Sequence, residues 1–194
     1  MRPALALFLL LVSSAAPLDS SWAAPSQSPA PKPKEISSEE KLFAQLKQVE
    51  SAEDAHPIEQ KLMAMFRASG SPSVDLLITR MQAALSAADK ATAKKLIDAV
   101  TNIAPSYAEG WHIRAGMEQA ADNDTAALVS LQKTVQLNPR HFAALGELAE
   151  MLQDYGDKAG ALKLYRRALE LDPHLPGATQ KLRELTTSVE GRDI

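Results

Sequence analysis

Residues Ala108 to Leu175 read AEGWHIRAGMEQAADNDTAALVSLQKTVQLNPRH, followed by FAALGELAEMLQDYGDKAGALKLYRRALELDPHL. Placed one under the other, the two 34-residue halves bring Pro139 over Pro173, and one further step of 34 back falls on Pro105. A fixed period of this length marks a chain built from repeated supersecondary units that bury their apolar faces on one another.

Three units follow from that phase, 74–107, 108–141 and 142–175. Position 20 of each is Ala93, Ala127 and Ala161, a small side chain where two helices can cross closely. Position 24 is Ile97, Leu131 and Tyr165, and position 30 is Ile103, Leu137 and Leu171, large groups suited to filling the space between helices. Position 16 is Asp89, Asn123 and Asp157, side chains that accept hydrogen bonds from the first free N–H groups of a helix. The proline at position 32 stops that helix, because the residue before it is pushed out of the helical region. Asn138-Pro139 and Asp172-Pro173 also start turns.

On these residues the chain resembles the tetratricopeptide repeat family over 74–175. The third unit fits best, with Leu145, Leu148, Ala149, Ala161, Tyr165, Ala168 and Pro173. The second keeps Trp111, Ala115, Ala127, Leu131 and Pro139, whereas in the first Arg80 and Met81 stand where the family has Leu and a small residue. The resemblance implies an all-α solenoid of helix–turn–helix repeats and a binding scaffold, without specifying the process it serves.

Outside the repeats, 1–23 has the layout of a secretory signal peptide. Arg2 precedes the apolar run 4–12, and Ser21-Trp22-Ala23 offers a small-x-small cleavage site. Nine apolar residues are too few for a membrane-spanning helix. Residues 24–38, rich in Pro and Ser, read as an extended tether. Residues 39–73 read as a divergent helix pair, either a degenerate repeat or a cap over the exposed end of the stack. Ser37 and Glu40 form a capping-box pattern, and Pro57 is placed to open the second helix. Ala178, Leu182, Leu185 and Val189 make one stripe of a final capping helix over 176–189, ahead of a frayed tail.

Composition narrows the function. The net charge is −3, and no basic patch interleaved with aromatics suggests nucleic acid. The absence of cysteine excludes disulfides, a thiol nucleophile and a lipid-attached cysteine. Only 8 glycines occur, with no phosphate-binding loop, and there is no G-x-S-x-G. His141 and His174 lie in corresponding turns, where the expectation is exposed side chains and no metal. A non-catalytic protein without cofactor follows.

The family's concave face is lined by positions 2, 5, 9 and 12 of each first helix. Carried over, these are Asp75, Ile78, Gln82 and Leu85 in the first unit, Glu109, His112, Gly116 and Gln119 in the second, and Ala143, Gly146, Glu150 and Gln153 in the third. The Lys and Asn with which well-known members grip a peptide's terminal carboxylate are absent. Gly116 and Gly146 either admit a partner's backbone or ease packing. Arg80 and Arg114 share position 7. Their expected role is a partly buried ion pair between neighbouring first helices, with Glu118 available to Arg114; the other reading is a grip on a partner's carboxylate. The resulting expectation is an exported, periplasmic or secreted adaptor that binds a polypeptide segment in this groove. A dedicated assembly factor for an envelope complex and a self-associating solenoid are the alternatives.

Overall fold

The computed structural model describes residues 37–191. The signal peptide, almost all of the tether and the last residues of the tail lie outside them. Among the described residues there are nine helices and no strand. They are α1 (Ser38–Leu46), α2 (Ala52–Arg67), α3 (Pro72–Ser86), α4 (Lys90–Ile103), α5 (Ala108–Gln119), α6 (Asp124–Leu137), α7 (Phe142–Asp154), α8 (Lys158–Leu171) and α9 (Ala178–Val189). The fold is an all-α solenoid, with α3–α4, α5–α6 and α7–α8 as antiparallel pairs. None of the described helices is long and apolar enough to cross a membrane.

The local signals act as their chemistry dictates. Asp89, Asn123 and Asp157 are the N-caps of α4, α6 and α8, each accepting the N–H of the residue three further on. Ala93, Ala127 and Ala161 are fully buried at the helix crossings, and Ile97, Leu131 and Tyr165 pack beside them. Asn138 and Asp172, each before a proline, leave the helical region as the C-caps of α6 and α8. Ser37 and Glu40 close the capping box of α1. The final helix opens at Gly177, in the left-handed region at φ 74°, and buries Ala178 and Leu185 against α8.

Each first helix hands over to its second through a tight turn with one left-handed residue, Ala88 (φ 59°), Asp122 (φ 55°) or Gly156 (φ 87°). The next N–H reaches back to the carbonyl five residues earlier, as in Asp89 to Ala84, Asn123 to Glu118 and Asp157 to Leu152. This hydrogen bond satisfies an otherwise orphaned helix-end carbonyl. Only the third unit uses the residue for which a positive φ carries no steric cost.

Two expectations for the N-terminal pair need correction. α2 starts at Ser51, not at Pro57, which sits exposed inside the helix. Ser51 accepts the N–H of Asp54, and this cap, reinforced by Glu53 and Asp54 in the first turn, sets the start six residues earlier. Nor does the pair cover the outer end of the stack, where Leu76 is 51% exposed and Ile103 58%. It lies instead across the inter-repeat turns of the second and third units. Phe43, Leu46 and Leu62 form one core with Phe142, joined by Leu171 and Leu175. The Phe43 and Phe142 rings meet edge-to-face at 6.4 Å. The Arg140 guanidinium lies 4.0 Å over the Phe43 ring and 3.3 Å from Glu39. His174 Nε2 donates to the Val49 carbonyl at 2.9 Å. The aromatic stripe of α1–α2 finds its complement at Phe142, whereas the α3 end offers no aromatic partner.

Candidate functional site

A cavity of about 650 Å³ opens on the concave side between α3 and α5. Asp75, Ile78 and Gln82 of α3 line one wall. Glu109, His112, Gly116 and Gln119 of α5 line the other. Helix geometry makes this so, because positions 2, 5, 9 and 12 recur on one face. None of the four third-unit residues, Ala143, Gly146, Glu150 and Gln153, lines it, and neither does Leu85 of the first unit. Glu150 is exposed further along α7, and the Gln153 amide oxygen is buried without a partner. Gly146 is filled from within the chain: a Cβ there would lie 3.0 Å from Leu175 Cδ2. At Gly116 a Cβ would meet nothing within 4 Å, and this residue is the open floor of the groove.

Glu109 is not an exposed groove carboxylate. It is 4% exposed and anchors a network across three elements. His141, fully buried, donates from Nε2 to Glu109 Oε2 at 3.0 Å. Its Nδ1 accepts the Ala144 N–H at 3.2 Å, so the ring caps α7. His112 Nδ1 lies 3.4 Å from the same Glu109 oxygen, and His112 Nε2 donates to both Glu147 oxygens at 3.1 and 3.0 Å. From α2, Phe66 stacks on His141 at 5.0 Å, and Arg67 Nε approaches Glu109 Oε1 at 3.8 Å.

Burial pushes the Glu109 carboxyl up, but the hydrogen bonds from His112 and His141 outweigh it and hold it down at about 2. Burial pushes the His112 imidazole down, and the bonds to Glu109 and Glu147 reverse that and hold it at about 9. His112 is therefore an imidazolium between two carboxylates at neutral pH.

The expectation of exposed turn histidines fails for both: His141 is fully buried, and His174 is half-buried with its ring on the Val49 carbonyl. The relevant neighbours of His141 lie one repeat earlier, on the Glu109-x-x-His112 face of α5, and not at His174. Glu109, His112 and His141 also have metal-ligand chemistry, with ligand atoms within 4.8 Å of one another. The outer partner of His112 suits metal binding, since Glu147 could orient a metallated imidazole. His141 does not suit it. Ligation through Nε2 would require its proton on Nδ1, which instead faces the Ala144 N–H. The three side chains close as a hydrogen-bonded ion network.

The position-7 arginines part company. Arg114 Nε donates to Glu118 at 2.8 Å, and its Nη1 donates to Thr101 and approaches Asp98 of α4. Arg80, on the uncovered α3, is exposed. Among the described residues no ion pair joins the two first helices, because Arg114 packs against the preceding second helix, α4. Trp111 is half-buried and donates Nε1–H to the Pro105 carbonyl at 3.0 Å. Glu147, Arg67 and Tyr107 are groove residues that sequence reasoning missed. Only the tertiary path of α2 and the inter-repeat angle bring them in.

Stacked 34-residue helix pairs with a lined concave groove define a helical-repeat scaffold. A curated TPR repeat-containing protein of Rhizobium etli is 26% identical over 152 residues, covering 78% of this chain and 74% of that protein. The crystal structure of MamA superposes with a TM-score of 0.55 at 17% identity, over 81% of this chain and 88% of that one. The Yersinia enterocolitica type III secretion chaperone SycD, in complex with a peptide of the translocator YopD, superposes with a TM-score of 0.53 at 16% identity, over 61% and 95%. No family model matches the chain. In its repeat phase, cap positions and helix order, the chain is similar to tetratricopeptide repeat proteins and shares their fold.

Proposed function

We propose that this protein is a non-catalytic interaction scaffold of the cell envelope that holds a polypeptide segment in the groove between α3 and α5. The observation that carries the reading is the groove itself, an open concavity with first-helix side chains on both walls and Gly116 at its floor. Amides from Gln82 and Gln119 can satisfy a bound peptide's backbone, while Ile78 and Ile113 offer apolar seats. SycD, a protein of the same fold, is described with a bound peptide. The signal-peptide layout of 1–23 supports export as the first step.

A photo-crosslinking residue at Gly116, compared with one at the exposed Val129 on α6, tests the groove in cells. One protein captured from the envelope fraction at 116 and not at 129 is the expected outcome. Equal capture at both positions would sink the groove assignment. Export is tested by N-terminal sequencing of the mature chain. An uncleaved cytosolic product would sink that part alone.

A further inference from the structure

The lining of the groove is unbalanced in charge. Asp75 and Glu147 contribute accessible carboxylates above the buried Glu109, and Glu150 adds an exposed one on α7. The first helices supply little to offset them. α7 has no Lys or Arg, Arg114 is turned to α4, and the one cation the first helices place in the lining, the His112 imidazolium, is held between Glu109 and Glu147 and offsets the buried Glu109. The field is felt by Tyr107 on the groove wall. Its phenol is pushed up to about 12, first by burial and then by the charges of Glu109 and Asp75.

A second observation points to the kind of ligand. Among the described residues one guanidinium reaches the groove, and it comes from outside the repeats. Arg67, the last residue of α2, lines the cavity with its side chain 65% exposed and its Nε 3.8 Å from Glu109. Tyr107 Oη donates to the Arg67 carbonyl at 2.8 Å, a bond that ties down the backbone there and not the guanidinium. An ion pair this long and this exposed contributes little, so a competitor can displace it at small cost.

From these contacts we infer that the groove selects an extended peptide segment bearing Arg or Lys, and that Arg67 holds the place of the partner's cation in the free protein. The inference rests on the groove reading above and adds the partner's chemistry. A Lys or Arg stem lies along Ile78 and Ile113 while its head meets Asp75 and Glu147. The open face at Gly116 lets the peptide backbone approach.

The test is fluorescence anisotropy of the full chain with three labelled peptides of equal length, carrying Arg, Gln or Glu at the same positions of a Gly-Ser frame. The Arg peptide should bind tightest, by about tenfold or more at low salt, and weaken as salt rises. Gln82→Lys/Gln119→Lys adds two cations at exposed positions without touching the buried network, and should weaken the Arg peptide by about tenfold. Arg67→Ala should tighten it several-fold.

A Gly116→Trp variant, which fills the floor, separates the site from its charge preference. If it abolishes binding but the Gln or Glu peptide binds as well as the Arg peptide, the groove reading survives and the charge inference falls. If the Arg peptide still binds after Gly116→Trp, the groove is not the site and both fall. An Arg peptide that does not bind, or an Arg67→Ala variant with unchanged affinity, overturns the inference.

Discussion

His112 shows how much one side chain can be asked to hold. It links α5 to α7 through Glu147 and shares Glu109 with His141. Its folded pKa of about 9 lies above its ordinary value of 6.5. The stabilisation is therefore fully present below pH 6.5 and is lost as pH rises through 9. Replacing it with Gln should cost about 2 kcal/mol at neutral pH, because Glu109 and Glu147 lose a charged donor. The thermal midpoint of wild type should fall between pH 6.5 and 9, and that of His112→Gln should stay flat there. Parallel curves would show that His112 is not the titrating link. Glu109 belongs to the same network, so a lysine at that buried position would unfold the site before it tested any groove. For that reason the groove variants above use Gln82, Gln119 and Gly116.

At the scale of the element, the intra-repeat turns carry an avoidable cost. Ala88 adopts φ 59°, a conformation that Gly156 occupies at the same position of the third unit. A left-handed non-glycine residue costs roughly 1 kcal/mol, partly offset by the extra unfolded-state entropy of glycine. Ala88→Gly should therefore raise stability by about 0.5 kcal/mol. Gly156→Ala should lower it by about 1 kcal/mol, since the methyl group gains nothing at an exposed turn. Chemical denaturation of the two variants measures the pair, and opposite signs are required.

For the whole molecule, the placement of α1–α2 over the inter-repeat turns is the decision with most consequence. It brings Arg67 to the groove and sets Glu59 beside Asp172. Asp172 is fully buried, with one carboxylate oxygen lacking a partner, and burial first and the Glu59 charge next push it up to about 6; the His174 N–H it accepts opposes this. Its folded pKa exceeds the ordinary 3.8, so the associated stability is full below pH 3.8 and is lost as pH rises through 6. The second unit already shows the uncharged solution, where Asn138 Oδ1 accepts the Arg140 N–H at 3.0 Å. Asp172→Asn should gain about 1–2 kcal/mol at pH 7 and nothing near pH 4. Protection of α1–α2 amides in hydrogen exchange should rise with it, and unchanged protection at pH 7 would show that the hairpin does not feel this carboxyl.

The repeat phase, the N-caps at Asp89, Asn123 and Asp157, the crossing alanines and the proline stops were all legible in the sequence, because each depends on neighbours within one helical turn or one 34-residue period. The same periodicity found the α3 and α5 walls of the groove, Asp75 to Gln119. It could not find that Gly146 is filled by Leu175, that Glu109 is buried, or that His141 turns inward to meet it. Those outcomes depend on the angle between units and on where α1–α2 docks. That docking follows from aromatic packing between Phe43, Phe66 and Phe142, residues far apart in the chain. No local pattern encodes a contact of that kind, and tertiary packing alone brought Arg67, Glu147 and His141 to one site.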